Sequence, residues 1–324
     1  MTQRRAPRRR LELVATVGPA SLSLVPELLA AGATQLRLNA SHVRGRALDR
    51  ALDRVLAAAS PAQVVVDLQG AKMRVELARS RRVTAGHDVT FALDAGRREI
   101  PLPHPELFAQ ASRGDVLTAD DGRLRFSVVA VSPGRLVARA LGSGVLRPRK
   151  GVNLASHPVP LAALVPFDAQ AVESCRARRV SSLALSFLAG PDDLELLGRA
   201  APRSRRVAKI ERAEAVAGLA GIARRADVVW ICRGDLQEQV GAGALGRFVS
   251  ELEPRRLRAP VLMAGQVLQG LVASGAPSRS EVCHLCDLVE RGYAGIVLSD
   301  ETAIGRDPVG AVKAARELLD TFSR

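Results

Sequence analysis

The sequence predicts an α/β fold: a (β/α)8 TIM barrel with a small β-barrel lid domain inserted after the third strand. Three observations support this prediction. Short β-branched or apolar runs recur along the 324 residues, and an amphipathic stretch follows most of them. One gap of more than 100 residues separates the third run from the fourth. Regular strand–helix alternation is typical of a parallel sheet, and eight such units close into a barrel.

Eight runs, each bounded by polar turns, have the composition of buried strands. They are Leu11–Thr16, Gln35–Asn39, Val64–Leu68, Ser181–Ser186, Arg205–Glu211, Val228–Arg233, Pro260–Ala264 and Gly295–Ser299. The clearest helical patterns between them are rich in leucine, alanine and arginine. These helices are Val25–Ala31, Ala47–Ala59, Asp192–Ala201, Glu281–Glu290 and Val309–Thr321.

The long gap is too long for a loop in a compact domain. It contains its own strands and turn signals, with predicted strands at Asp88–Leu93, Val116–Thr118, Arg123–Val131 and Arg135–Ala140. Turns are indicated by Asp120-Asp121-Gly122 and by Ser132-Pro133-Gly134. We therefore predict a disordered basic tail at 1–10, barrel segments at 11–73 and 151–324, and at 74–150 a lid that closes over the site.

Composition limits the function classes. The formal net charge is +14, and only four of the 47 basic residues are lysines, the other 43 being arginine. This charge favours anionic substrates, but aromatic residues make up only 3% of the chain, which argues against a nucleic-acid partner. No apolar run is long enough to span a membrane, and no secretory core follows the basic tail.

Four cysteines in a chain of this length favour a reducing, cytoplasmic location. The spacing of Cys283 and Cys286 formally matches a metal or redox pair. Because no second pair lies nearby, we predict that both are small helix residues that pack inward.

Active-site groups of such barrels lie at the carboxyl ends of the strands. Lys209 and Glu211 are two residues apart at one such end and would point to the same side. An exposed ion pair remains the alternative for these two residues. Arginines and isolated carboxylates follow other strands, a combination that fits phosphoryl transfer with a divalent metal. The five histidines are scattered, which disfavours a hydrolytic triad.

From about Glu12 to Ala311 the sequence resembles the pyruvate kinase family. The motifs that carry the resemblance occur in the order TVGPAS, RLNASH, DLQGAKMR, ADDGRLRF, RKGVNLA, LSFLAG, AKIERAE, CRGDL, PSRSEV and LSDETAIG. It implies a Mg2+- or Mn2+-dependent glycolytic enzyme that moves a phosphoryl group from phosphoenolpyruvate to ADP, giving pyruvate and ATP.

The resemblance also implies roles for individual residues. Catalytic roles fall on Lys209, Arg37 and Arg74, and metal binding falls on Glu211 and Asp235. Substrate binding falls on Arg37, Gly234, Asp235 and Gly265, and nucleotide binding on Asn39, Arg74 and Lys150. Asp121 matches a residue near the metal–nucleotide, with a hairpin turn as the alternative that we favour. Asn39, Ser41 and Asp67 match ligands of a potassium ion.

Two departures from the family pattern matter. Leu68, Gln69 and Lys72 stand where the best-known members have threonine, lysine and glutamate, and this pattern is similar to the potassium-independent branch. The Lys72 ammonium would replace the cation, so no K+ requirement is expected. Gly265 stands where the family has a threonine that helps to position substrate and to protonate the enol.

Alternative functions remain open at this stage. One is a metal-dependent lyase acting on a 2-oxo acid, and another is a catalytically degenerate barrel that only binds a ligand. The chain stops at Arg324, where relatives usually continue into a further domain, so we expect no sugar-phosphate regulation of the familiar kind. A homo-oligomer is left open.

Overall fold

A computed structural model describes residues 10–120, 122–157, 159 and 161–323. Its strands are β1 (Glu12–Thr16), β2 (Gln35–Asn39), β3 (Val64–Leu68), β4 (Arg81–Val83), β5 (Asp88–Ala92), β6 (Ile100–Pro101), β7 (Val116–Ala119), β8 (Leu124–Ser132), β9 (Arg135–Ala140), β10 (Gly144–Leu146), β11 (Val152–Leu154), β12 (Ser182–Leu185), β13 (Arg205–Ile210), β14 (Val228–Cys232), β15 (Val261–Ala264) and β16 (Gly295–Leu298).

The helices are α1 (Val25–Ala30), α2 (Arg46–Leu56), α3 (Pro105–Gln110), α4 (Pro166–Ala177), α5 (Pro191–Ala200), α6 (Ala213–Ala217), α7 (Leu219–Arg225), α8 (Arg233–Val240), α9 (Ala242–Glu251), α10 (Gly270–Ala273), α11 (Arg279–Arg291), α12 (Asp300–Ala303) and α13 (Pro308–Phe322). Pro61–Gln63 and Pro254–Arg256 form single 3-10 turns. None of the helices in the described ranges combines the length and apolar character needed to cross a membrane.

Eight parallel strands close into a barrel in the order β1-β16-β15-β14-β13-β12-β3-β2. The prediction of a (β/α)8 barrel is therefore confirmed, and its β2 and β3 have the predicted bounds. The other six strands are one or two residues shorter than predicted. Four of them end one residue earlier, just before polar residues such as Ser186 and Glu211, whereas β1 and β15 begin one residue later.

Side chains alternate between two apolar layers along each barrel strand. One set of buried residues fills the barrel interior, including Val65, Val207 and Trp230. The other set, including Leu36 and Leu38 on β2, packs against the surrounding helices. Residues two positions after the last interior residue of a strand, at its carboxyl end, therefore also face the barrel interior. This alternation is the reason that polar residues of separate strands meet there.

Helix α11 is defined by its caps. The Ser278 hydroxyl accepts from the Glu281 N–H at the start, and Gly292, with φ 94°, ends the helix in the left-handed conformation. Leu285 and Leu288 are its buried residues, whereas Cys283 is exposed and Cys286 half-buried. The prediction that both cysteines pack inward is wrong, because the apolar stripe of the helix is formed by the leucines.

The chain divides into two compact units, one of them spanning Ala71–Ala162. This unit contains a six-stranded sheet in the order β11-β7-β8-β9-β5-β6 and a two-stranded sheet of β10 and β4. The predicted small β barrel is thus two sheets in the described residues, because β4 and β10 pair only with each other. Its core includes Phe91 and Phe126, which meet edge to face with ring centroids 5.4 Å apart. Its role as a lid stays a prediction.

Candidate active site

Lys209 is the centre of a buried polar cluster at the carboxyl end of the barrel. Its Nζ lies 2.8 Å from Glu211 Oε1, 3.1 Å from Asp67 Oδ2 and 2.8 Å from Ser186 Oγ. Only 7% of the residue is exposed. Burial alone would lower the pKa of Lys209, but the Asp67 and Glu211 carboxylates outweigh it and raise the pKa well above its usual range. The alternative of an exposed ion pair is therefore wrong, because both partners are buried.

Asp67 joins the ammonium to a guanidinium from the neighbouring strand. Arg37 approaches Asp67 Oδ2 through Nη2 at 2.6 Å and Nε at 2.8 Å, while Ser186 Oγ donates to Asp67 Oδ1 at 3.0 Å. Arg37 Nη1 donates to the Thr16 hydroxyl at 2.9 Å. Burial acts to raise the pKa of Asp67, but Lys209 and Arg37 together lower it, so its carboxylate is ionised.

Glu211 uses each carboxylate oxygen once. Oε1 contacts Lys209, and Oε2 accepts the backbone N–H of Phe187 at 2.8 Å. Phe187 has φ 56°, so the chain after β12 turns in the left-handed region to make this bond. Burial raises the pKa of Glu211, and the charges of Asp235 and Asp67 add to that effect against the opposing Lys209. One lone pair on each oxygen remains for a further ligand.

Helix α8 begins directly after β14, the neighbour of β13 in the barrel. Gly234 and Asp235 lie in its first turn, where backbone N–H groups have no partner within the helix and attract an anion. The Asp235 carboxylate is close enough to Glu211 to raise its pKa. Two hard carboxylates that repel each other suit Mg2+, which commonly takes one or two protein carboxylates beside substrate phosphates.

The described residues offer a metal this pair of carboxylates and no larger set of ligands. Within the described ranges, no group of three or more His, Cys, Asp or Glu residues is arranged to hold an ion. A metal at Glu211 and Asp235 would therefore need oxygen atoms from substrate or water to complete its coordination.

Gly265 lies against the start of α8. A Cβ placed on it would lie 3.3 Å from Gly234 N and 3.4 Å from Arg233 N, and its φ of +84° is strained for other residues. The Arg233 guanidinium donates to the carbonyl of Gly265 at 2.8 Å and to that of Gln266 at 2.9 Å. Arg233 therefore holds this left-handed loop beside the helix terminus.

The predicted residues Lys72, Arg74 and Lys150 lie in the unit that spans Ala71–Ala162. Lys150 Nζ is 2.7 Å from Asp120 Oδ1, and Arg147 approaches the other oxygen of Asp120 at 3.3 Å. Arg74 Nη1 donates to the Arg149 carbonyl at 2.8 Å. The stem of Lys72 packs on the backbone of Gly151, where a Cβ would lie 2.3 Å from Lys72 Cε. Asp121 lies outside the described residues.

With this geometry in place, comparison with known proteins decides the family. The family model described as "Pyruvate kinase, barrel domain" matches residues 8–312. The chain belongs to the pyruvate kinase family. A protein named pyruvate kinase from Agrobacterium vitis is 34% identical over 96% of this chain and 68% of its own length. A pyruvate kinase from Methylorubrum extorquens is 32% identical over 98% and 69%, and pyruvate kinase II from Salmonella typhimurium is 30% identical over 94% and 68%.

The residues that match potassium ligands of the family have partners within the protein. Asn39 Oδ1 accepts the Ser41 N–H at 3.0 Å, and Ser41 itself is buried. Asp67 is neutralised by Arg37 and Lys209.

Sequence reasoning assigned no role to three strand-end residues that position this site. Ser186 bridges Lys209 and Asp67, Thr16 holds Arg37, and Arg233 holds the Gly265 loop. The alternation of inward-facing residues could have assigned Thr16 and Ser186 to the cluster. Nothing in the sequence signals the Arg233 contact, because it crosses to a loop 32 residues away.

Proposed function

We propose that this chain transfers a phosphoryl group from phosphoenolpyruvate to ADP, with the chemistry centred on Lys209. The observation that carries the proposal is a buried ammonium held 2.8 Å from Glu211, one strand from the start of α8. Positive charge placed in advance is what phosphoryl transfer requires. The curated relatives, all named pyruvate kinase, support the same reaction and favour neither a lyase nor a ligand-binding barrel.

Each group in the cluster has a distinct role in this proposal. Lys209 neutralises the phosphoryl group through its ammonium, whose pKa the Asp67 and Glu211 carboxylates raise. Arg37, fixed by Asp67 and Thr16, contacts phosphoryl oxygens with its remaining N–H groups. The N–H groups of Gly234 and Asp235 bind the substrate carboxylate. Glu211 and Asp235 hold Mg2+ or Mn2+, which when bound supplies further positive charge to the phosphoryl oxygens.

Protonation of the enol needs a source other than a side-chain hydroxyl at position 265, because Gly265 has none. We infer that water delivers this proton. The finer assignments of Arg74 and Lys150 to the nucleotide belong to the proposal, as do closure of the 74–150 segment as a lid and a cytoplasmic location. The motifs around Arg74 and Lys150 support the nucleotide and lid assignments, and the four free cysteines support the location.

The experiment is a coupled assay with phosphoenolpyruvate, ADP and Mg2+ on Lys209→Met. Lys313→Met is the matched control, since Lys313 is exposed on α13. We expect Lys209→Met to lose activity by at least about a thousandfold and the control to keep it. Removing a buried ion also destabilises the cluster, so Mn2+ binding followed by electron paramagnetic resonance checks that the carboxylates remain in place. Full activity of a folded Lys209→Met enzyme would refute the proposal.

We further propose that activity does not depend on K+. Support comes from Asp67, whose charge is already balanced by Arg37 and Lys209, and from the bond between Asn39 and Ser41. In the proposal Lys72 supplies the charge that the ion would bring. Lys72→Glu should therefore create a dependence on KCl that tetramethylammonium chloride does not satisfy. A strict K+ requirement in the unmodified protein would contradict this part of the proposal alone.

A further inference from the structure

A cleft lies at the amino-terminal ends of barrel strands, away from the candidate active site. It has a volume of about 930 Å3 and lies between the last turn of α5 and the residues that enter β13 and β14. Its lining residues are Glu195, Gly198, Arg199, Pro202, Arg203, Ser204, Arg205, Arg206 and Asp227. Arg205 and Arg206 begin β13, whereas Lys209 lies near the end of the same strand. The cleft is therefore separate from the candidate active site.

Both acidic residues in this lining already have cationic partners. Glu195 pairs with Arg225, which is not part of the lining. Asp227 accepts the backbone N–H of Arg206 at 2.8 Å and lies 3.5 Å from Arg206 Nε. Arg205 is paired with Glu12 at 3.3 Å. The carboxylates at the cleft are thus neutralised.

Arg199 and Arg203 are the surplus charges. Both are exposed, and neither makes an ion pair or a hydrogen bond with any residue in the described part of the chain. The Arg206 guanidinium lies beside Gly198, where a Cβ would lie 3.6 Å from Arg206 Nη1. Because the glycine has no side chain, the space beside this guanidinium stays open. The cleft therefore carries two uncompensated guanidinium groups next to two paired ones.

We propose that this cleft binds a small phosphorylated anion. Guanidinium groups bind phosphate oxygens through paired N–H donors, and two unpaired arginines match the charge of one phosphate monoester dianion. The volume lies within the range of pockets that hold small organic ligands, so it admits a phosphate together with the group that it esterifies. The charge is concentrated in a concave site rather than along an extended surface, which favours a small anion over a nucleic acid.

The test compares two double variants that lose the same charge. Arg199→Ser/Arg203→Ser removes the surplus arginines of the cleft. Arg50→Ser/Arg54→Ser removes two exposed arginines of α2 that are also without an ion pair among the described residues. Ribose 5-phosphate is the probe, ribose is its neutral counterpart, and inorganic phosphate separates recognition of phosphate alone from recognition of an ester. Binding is measured by calorimetry and located by hydrogen exchange.

We expect ribose 5-phosphate to protect backbone amides of residues 196–206 in the unmodified protein and in the α2 variant. The cleft variant should lose this protection and bind at least tenfold more weakly. Inorganic phosphate binding with the same pattern would mean that phosphate alone is recognised, in agreement with the proposal. Equal weakening in both variants, equal binding of ribose, protection confined to the strand ends near Lys209, or no binding would each overturn it.

Discussion

At the scale of single residues, the site is a balance of buried charges. Lys209 and Arg37 together offset Asp67 and Glu211, and every one of the four contacts another member of the set. Asp235 adds a further carboxylate near Glu211 and raises the pKa of Glu211. In the proposed function, a divalent cation would offset the charges of these two carboxylates.

Ser186 is the neutral residue that contacts both Lys209 and Asp67, and its removal should lower catalytic efficiency. We predict that Ser186→Ala lowers kcat/KM about tenfold, equivalent to about 1.4 kcal/mol, because Lys209 and Asp67 each lose one of their partners. Stability should fall by about 1–3 kcal/mol. Ser280→Ala, at an exposed position, is the control for both measurements. A variant with unchanged kinetics would show that the ion pairs alone fix the ammonium.

Both the backbone conformation of Gly265 and the atoms around it restrict which residue can occupy this position. We predict that Gly265→Thr does not raise turnover and lowers stability by about 1–2 kcal/mol, because a β-branched residue is strained at φ +84°. Gly243→Thr is the matched control, since a Cβ at Gly243 in α9 meets no atom within 4 Å. Faster turnover at unchanged thermal stability would show that the loop held by Arg233 adopts another backbone conformation.

At the scale of elements, the loop after β3 is fixed to the start of α4. Asp168 is buried and accepts the N–H groups of Gln69 at 2.8 Å, Gly70 at 2.9 Å and Val165 at 3.2 Å. Gly70 has φ +62°, and a Cβ there would lie 1.8 Å from the Ser186 carbonyl oxygen. These contacts bring the end of β3, with Asp67, close to the end of β12.

We predict that Asp168→Ala lowers the free energy of unfolding by about 3 kcal/mol, because each buried N–H left without an acceptor costs about 1–3 kcal/mol. Asp168→Asn should lose less, since its amide oxygen still accepts. Asp193→Ala is the control: Asp193 also accepts two backbone N–H groups, from Ala189 and Gly190, but water can reach them. Urea unfolding measures all three. Equal losses for Asp168→Ala and Asp193→Ala would contradict the assigned role.

The sequence predicts helices and strands of both units well where a strong apolar run marks them. β2, β3 and β9 have the predicted bounds, and the predicted helices end within three residues of the observed ones. Helix α8 was missed because Arg233–Val240 has only one buried residue and so no apolar stripe. The short strands β4, β6 and β10 have two or three residues each, too few to show a period.

The candidate site divides in the same way. Lys209, Glu211, Asp67 and Arg37 could be predicted to meet, because parallel strands bring their carboxyl ends to one face. Their partners in the loops could not. Phe187 contacts Glu211 through its backbone in a left-handed conformation, which its residue type does not indicate. The pairing of Lys150 with Asp120 depends on two chain segments 30 residues apart, whose approach only the folded unit fixes.

At the scale of the whole molecule, the excess of arginine has two different outcomes. Arg37 is half-buried and Arg316 is buried, and their guanidinium groups bond to a carboxylate or to backbone carbonyls. Arg199 and Arg203 are exposed without such partners among the described residues. Charge alone therefore says little about function, and only the partners of each guanidinium separate structural arginines from those available to a ligand.

The four cysteines report on opening of the barrel unit as a whole. We predict that iodoacetamide at pH 8 labels Cys283 first and leaves Cys175 and Cys232 unmodified in the folded protein. Cys283 is exposed, whereas burial raises the pKa of Cys175 to about 12 and keeps its thiol protonated. An unfolded thiol ionises near pH 8.5. Between that pH and about 12 only the unfolded state loses the Cys175 proton, so the free energy of unfolding should fall as the pH rises through this range. Mass spectrometry of timed adducts makes the measurement, with urea-unfolded protein as the fully labelled control and Cys283→Ser lacking the first adduct. Labelling of Cys175 as fast as Cys283 would mean that the core around α4 opens without global unfolding.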